Sequence, residues 1–128
     1  MHTESLSITN KTKSTLPRVP FAKIKNAILG EKYELSLVFI GETTSKKLNN
    51  NYREKNKPTN ILSFTVDKNS GEIFITPSVA KKQYKSFEKR YDEFIAFLFI
   101  HGLLHLKGME HGSKMERAEE KWCKVFKI

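Results

Sequence analysis

The sequence predicts an α+β domain in which a small mixed β-sheet of about four strands packs with about five helices. Three observations support this class. Strand-like apolar patterns come early, helix-like patterns dominate the later part, and one turn-rich segment separates two strands as in a hairpin. The 128 residues contain no internal repeat or long linker, so residues 1–128 are predicted to form one continuous domain.

Four elements are predicted before the hairpin. Residues 6–9 (LSIT) alternate apolar and polar side chains with the two-residue period of a strand. Residues 21–29 carry apolar side chains at helical spacing, and Gly30 follows as a stop signal. Residues 34–40 (ELSLVFI) form a β-rich apolar run, which predicts a central strand, and residues 42–52 are compatible with a helix.

The hairpin is predicted in the middle of the chain. Residues 61–66 (ILSFTV) form one strand and residues 72–76 (EIFIT) form its antiparallel partner. The segment DKNSG at 67–71 is rich in residues that favour tight turns, so it connects the two strands.

Three helices are predicted after the hairpin. The segment 77–85 begins with proline, which is favourable at a first helical position, and it presents a basic face. Asp92 is a suitable N-cap for a long apolar helix over residues 93–107, which Gly108 ends. A charged helix over 113–128 completes the chain.

The charge balance favours a polyanionic partner. Lys and Arg total 23 against 14 Asp and Glu, a net charge of +9, which suits nucleic acid first and an anionic membrane surface second. The same excess could serve solubility alone. Only two of the acidic residues are Asp, and this chain is therefore poorly supplied for a carboxylate-rich two-magnesium site.

The sequence indicates a cytoplasmic protein without a membrane span. The longest uncharged apolar stretch, residues 94–106, is well short of the roughly 20 residues that cross a bilayer. The first ten residues lack a continuous apolar segment typical of a secretory signal. Cys123 is the single cysteine, so no intrachain disulfide is expected.

The chemistry is predicted to lie in three closely spaced histidines. His101 and His105 are four residues apart, so on a helix they project from one face. Gly108 can adopt a positive φ that reverses the chain and returns His111 to the same point. The pattern H-x₃-H-x₂-G-x₂-H is the ligand spacing of metzincin zinc proteases. It predicts one metal ion, Zn²⁺ as the first choice, with a fourth position open for water.

Two features qualify this interpretation. A single histidine on an apolar face is most often a satisfied core residue, but three at this spacing favour a metal site. The glutamate that acts as general base in H-E-x-x-H enzymes is replaced here by Gly102, which argues against a peptidase. Glu110 is either a helper group beside His111 or a plain turn residue.

Three segments of the sequence resemble those of a known family. Residues 101–111 (HGLLHLKGMEH) are similar to the H-G-x-L-H-L-x-G-Y-D-H signature of the YbeY proteins, bacterial metal-dependent endoribonucleases. Residues 53–64 (REKNKPTNILSF) resemble that family's arginine-containing stretch, and residues 71–75 (GEIFI) resemble its G-D-I strand. The departures are mild. They are Met109 for Tyr, Glu110 and Glu72 for Asp, and Thr65 for Pro.

The resemblance implies a single-strand-specific endoribonuclease that matures ribosomal RNA, notably at the 3′ end of 16S rRNA, and acts in ribosome quality control. Single-stranded RNA, rRNA and the small ribosomal subunit are then its expected partners, and neither a membrane nor a homo-oligomer is indicated. Arg53 is expected to clamp the phosphodiester. RNA binding is further expected of the lysines Lys55, Lys57, Lys81 and Lys82.

Purely structural roles for these residues, and two other functions, stay open. Arg53 could form a surface salt bridge, and the lysines could be solvated charges. The chain could also be a non-catalytic ribosome-associated RNA-binding module with a structural zinc, which would need Cys123 as a fourth ligand. A metzincin-like zinc peptidase is the remaining alternative.

Overall fold

A computed structural model describes the backbone of residues 2–3 and 5–128 and the side chains from Ser5 onward. Within this part of the chain, five strands form one mixed sheet in the order β1-β2-β3-β5-β4. The strands β2 and β3 pair in parallel, as do β3 and β5, whereas β1 is antiparallel to β2 and β4 is antiparallel to β5. Their bounds are β1 His2–Thr3, β2 Leu6–Asn10, β3 Glu34–Phe39, β4 Ile61–Asp67 and β5 Ser70–Ile75.

The helices pack against this sheet and one another. They are α1 Phe21–Leu29, α2 Glu42–Arg53, α3 Pro77–Ala80, α4 Tyr91–Leu106 and α5 Ser113–Phe126, with a 3₁₀ turn at Tyr84–Phe87. The α+β class is thereby confirmed, with all four predicted strands present, β3 in the centre and the predicted hairpin between β4 and β5. The short β1 is an additional strand.

Two predicted helix boundaries are wrong. The helix predicted over 77–85 ends at Ala80. In the 3₁₀ turn that follows, the ring centroid of Tyr84 lies 6.0 Å from that of Tyr91, and the ring centroid of Phe87 lies 4.8 Å from that of Phe94. This packing on α4 overrides the helical propensity of the lysine-rich segment. The long helix begins two residues before its predicted start. Glu93, and not Asp92, satisfies its first turn by accepting a hydrogen bond of 2.8 Å from the Arg90 N–H.

The helix α4 forms the centre of the core. Phe94, Phe99 and Leu103 are completely buried on it, and it contacts α1, α5 and β4. A helix that is apolar on most sides is stable only when neighbours surround it. Among the described residues, no helix combines the length and the apolar character that crossing a bilayer requires.

A close approach of α4 to β4 positions the functional site. A Cβ atom at Gly102 would lie 2.9 Å from both the Ile61 Cδ1 and the Ser63 Oγ atoms. Such contacts are shorter than van der Waals packing allows, so a side chain at residue 102 would require the Ile61 and Ser63 side chains to shift. The neighbouring His101 is therefore held at the edge of the sheet, beside β4.

Candidate metal centre

The last turns of α4 and the loop that follows bring three histidines together. His101 and His105 lie one turn apart on α4, as predicted from their spacing. Gly108 ends the helix with a φ of +102°, and its N–H donates to the carbonyl oxygen of His105 over 2.9 Å. The chain then reverses, and His111 returns to the other two rings. The glycine turn that the sequence predicted is therefore present.

The three imidazoles converge tightly enough to share one ion. One nitrogen from each of His101, His105 and His111 lies within 4.8 Å of the other two. The ring centroids are 4.6 to 5.2 Å apart. Two of the rings are partly buried, whereas His111 is exposed and leaves one side of the cluster open to solvent.

Two of the rings are oriented by acceptors behind them. The Nδ1 atom of His101 lies 2.9 Å from a carboxylate oxygen of Glu119, which belongs to α5. The Nδ1 atom of His105 lies 3.1 Å from the carbonyl oxygen of Met109. Because a carboxylate and a carbonyl can only accept, both Nδ1 atoms carry the proton and donate it. In the neutral rings, both Nε2 atoms are therefore left with a free lone pair.

These lone pairs provide a test of whether a metal fits. The Nε2 atoms of His101 and His105 are 3.1 Å apart, yet neither has a hydrogen to donate to the other. Two nitrogens bound to one tetrahedral zinc ion at 2.0–2.1 Å lie roughly 3.3 Å apart. The spacing of the two unprotonated Nε2 atoms is close to what one divalent cation requires, and a nitrogen of His111 lies within 4.8 Å of them, so the three residues fit a metal ion.

The surroundings of His105 favour its neutral form, which is the form that binds a metal. Burial lowers the pKa of His105, and the neighbouring His101 and His111 lower it further. A lowered pKa keeps the imidazole neutral near pH 7, and only a neutral imidazole can coordinate a metal.

The histidines line a cavity of about 680 Å³ at the open edge of β4. Arg53, in the last turn of α2, lines the same cavity, so the structure brings together the arginine and the three histidines that the sequence singled out. Two anchors hold α2 against the following loop. The Ser45 hydroxyl donates a hydrogen bond to the Thr59 carbonyl and accepts one from the Thr59 N–H. The Asn49 amide donates to the Lys57 carbonyl over 2.8 Å.

The predicted RNA-binding lysines lie elsewhere. Lys55 and Lys57 are exposed in the loop after α2, outside the set of described residues that line the cavity. Lys82 forms an ion pair of 3.4 Å with Glu42. The Nζ atom of Lys81 lies 3.3 Å from the Ser14 hydroxyl.

The structure identifies a site residue that the sequence reasoning missed. The carboxylate that orients His101 comes from Glu119, not from Glu110 beside the third histidine. The available signal was a glutamate on the apolar side of α5, four residues after the buried Met115. A buried carboxylate is costly unless it has a partner, which points to a role. Cys123 is not part of the three-histidine cluster found among the described residues.

Comparison with known proteins places the chain in a family. The chain matches a model of the family described as Endoribonuclease YbeY over residues 2–124. A relative of that name from Francisella philomiragia is 30% identical, and the alignment covers 93% of this chain and 85% of the relative. One from Bdellovibrio bacteriovorus is 33% identical, covering 88% of this chain and 85% of the relative.

The coverage is lower for a phytoplasma relative. The protein named Endoribonuclease YbeY from Aster yellows witches'-broom phytoplasma is 38% identical over 67% of this chain, and the match spans 65% of that relative's length. Among solved structures, the solution structure of TM1509 from Thermotoga maritima superposes with a TM-score of 0.66 at 21% identity, covering 91% of this chain and 85% of that one. This likeness shows that the two chains share a fold.

Proposed function

The chain belongs to the Endoribonuclease YbeY family, and from that premise we propose that it is a metal-dependent endoribonuclease acting on single-stranded RNA. One observation carries the proposal to this chain. Three histidine nitrogens lie within 4.8 Å of one another in a cavity that Arg53 also lines. A metal site with an adjacent guanidinium is suited to hydrolysis of a phosphodiester.

The metal would be held by His101, His105 and His111, and Zn²⁺ is the proposed ion. Imidazole ligands suit zinc, and three protein ligands leave the further position that catalytic sites need. A divalent ion held there would supply Lewis acidity and would make a water molecule a better nucleophile. The ligand arrangement is metzincin-like in its spacing, but residue 102 is a glycine and carries no base.

The residues of the chain supply orientation and charge. Glu119 holds the proton of His101 on Nδ1, and the Met109 carbonyl does the same for His105, so both Nε2 atoms stay available. Arg53 supplies the positive charge that a phosphodiester needs beside the neutral imidazoles. Its planar guanidinium can donate two parallel hydrogen bonds to phosphate oxygens.

The biological substrate proposed is ribosomal RNA, in particular the 3′ end of 16S rRNA on the small ribosomal subunit in the cytoplasm, with a further role in ribosome quality control. The support is the family resemblance together with the net charge of +9, which favours a polyanionic partner. Lys55, Lys57, Lys81 and Lys82 remain proposed contacts to RNA phosphates beyond the cavity.

The other two functions lose support from the site. A structural zinc would need Cys123 as its fourth ligand, and that residue is outside the cluster within the described chain. A peptidase of the H-E-x-x-H type would need a base at position 102, which is a glycine whose Cβ position lies 2.9 Å from the Ile61 and Ser63 side chains of β4.

The proposal is tested by incubating the purified protein with a labelled 16S rRNA 3′ fragment, either single-stranded or annealed to its complement. We expect cleavage of the single strand only, loss of cleavage in His105→Ala, and retention in the exposed control Lys107→Ala. Intact RNA with the metal-loaded parent protein would refute the proposal. Cleavage of casein in a parallel reaction would favour the peptidase alternative.

A further inference from the structure

An aromatic pair lies at the same cavity as the metal centre. The Tyr52 ring stands 4.8 Å from the Phe64 ring, with an angle of 53° between their planes. Phe64 in turn meets Phe74 edge-on at 5.8 Å. Tyr52 and Phe64 both line the cavity that holds the three histidines.

The exposure of Tyr52 calls for an explanation. Tyr52 is 67% exposed, which is the highest exposed fraction among the large exposed hydrophobic residues of the described chain. An aromatic side chain usually gains more from burial, so one that is fixed on a second ring yet left in solvent offers a ready contact surface. The supporting ring limits its movement, which lowers the entropy cost of binding.

The position of the pair relative to the metal centre follows from the strand geometry. Ile61 and Ser63 face α4, because they are the residues that a Cβ at Gly102 would touch. Side chains alternate along a strand, so Phe64 lies on the opposite face of the edge strand β4. The cavity therefore extends around this edge, with the histidines on one side and the aromatic pair on the other.

We propose that Tyr52 and Phe64 form a nucleobase subsite, in which one unpaired base of the substrate stacks on the Tyr52 ring. This inference rests on the proposed function and identifies what the site selects. Arg53 lines the same cavity as Tyr52, so a base on Tyr52 and a phosphate on Arg53 can belong to one RNA strand. Every nucleobase presents a flat π-face, so the subsite accepts any base that is free to leave its stack. A base held inside a duplex is excluded, which explains a preference for single strands.

The test measures binding apart from cleavage. Fluorescence anisotropy compares an octameric single-stranded RNA with a matched octamer whose central residues are abasic, using parent protein, Tyr52→Ala and Tyr52→Phe. We expect the parent to prefer the complete RNA by about tenfold, which is within the range for stacking of one base on an aromatic ring. Tyr52→Ala should lose this preference and Tyr52→Phe should keep it.

Phe87→Ala is the matched control, because Phe87 is also an exposed aromatic residue but lies outside the cavity lining. It should retain the parent's preference. If Tyr52→Ala keeps the preference, or Phe87→Ala loses it, the subsite is wrong. If base-dependent binding requires Tyr52 but the metal-loaded parent cleaves no RNA, the subsite stands and the proposed nuclease function fails. If the parent cleaves RNA but Tyr52→Ala binds with the same base preference, the nuclease function stands and the subsite fails. If the parent binds no RNA, the subsite and the nuclease function are both wrong.

Discussion

The carboxylate of Glu119 lies 2.9 Å from the Nδ1 atom of His101, although the two residues belong to different helices. The contact joins α5 to the metal centre on α4. Partners of this kind fix the tautomer and the orientation of a ligating imidazole. The final helix is therefore part of the site as well as of the core.

Glu119→Ala should weaken metal binding because it removes the acceptor that orients His101. We expect affinity for Zn²⁺ to fall by about 10- to 100-fold in a competition titration against a chromophoric chelator. Glu119→Gln should keep most of the affinity, since its amide oxygen still accepts from Nδ1. The exposed neighbour Glu120 provides the control variant Glu120→Ala. Equal affinities for Glu119→Ala and Glu120→Ala would contradict the orienting role.

Gly102→Ala should destabilise the fold because its Cβ would lie 2.9 Å from Ile61 and Ser63. We expect the free energy of unfolding to drop by about 1 kcal/mol, because the cost of overpacking, about 1–3 kcal/mol, is partly offset by the roughly 1 kcal/mol that alanine gains over glycine inside a helix. Urea denaturation measures the change. Gly41→Ala is the matched control, because a Cβ there meets no atom of the described chain within 4 Å. A Gly102→Ala protein as stable as Gly41→Ala would show that α4 can move away from β4.

Arg53→Ala should reduce cleavage without affecting the metal. Arg53 is exposed and lies outside the three-histidine cluster, so zinc content and melting temperature should stay close to those of the parent. We expect cleavage of single-stranded RNA to fall about 100-fold or more, a typical loss for one electrostatic stabiliser. Arg53→Lys should recover part of the rate, because an ammonium supplies charge without the paired donors.

Lys81→Ala serves as the comparison for Arg53. It should mainly weaken RNA binding and flatten the salt dependence, as expected for a contact to phosphate outside the reaction site. If Arg53→Ala cleaves at the parental rate, Arg53 is a surface residue and not the phosphate clamp.

Lys25 should make the free energy of unfolding depend on pH. It is fully buried in α1, and its ammonium donates to the Ser5 hydroxyl over 2.6 Å and the Glu31 carbonyl over 3.1 Å. Desolvation lowers its pKa below the ordinary 10.5, with the charge of Glu31 acting in the opposite direction. The unfolded chain therefore holds this proton to a higher pH than the folded chain, so the parent gains stability from Lys25 as the pH rises through the folded pKa.

The variant Lys25→Met isolates this contribution from other titrating groups. We expect the stability of the parent relative to Lys25→Met to be greater at pH 9.5 than at pH 7, measured by urea denaturation. A difference that is the same at both pH values would show that the pKa of Lys25 is not lowered.

The features predicted correctly are those that depend on residues close together in the sequence. The alternation of residues 6–9 was enough for the strand β2, and the turn residues at 67–71 were enough for the hairpin. The spacing of His101 and His105 was enough for a shared helix face. The end of α3 was predicted incorrectly because Tyr84 packs on a helix later in the chain. Tertiary contacts of this kind leave no period in the sequence.

The rest of the site depends on topology. Glu119 reaches His101 from 18 residues away, and nothing in the spacing of α5 identified which ring it would meet. Tyr52 reaches the cavity because β4, the strand after α2, lies at the sheet edge beside α4. The sequence predicted Arg53 through its motif, whereas its place beside the histidines required the folded chain. The roles of the four lysines remain predictions.

The most direct test of the central claim is a zinc titration of the chelator-treated protein, with the initial rate of single-stranded RNA cleavage as the readout. We expect no cleavage without metal and a rise that stops at one Zn²⁺ per chain, because the nitrogens of His101, His105 and His111 converge on a single point where one ion could bind. His105→Ala should show no recovery at the same metal concentration. Cleavage at the parental rate by the metal-free protein, or full recovery by His105→Ala, would contradict the account.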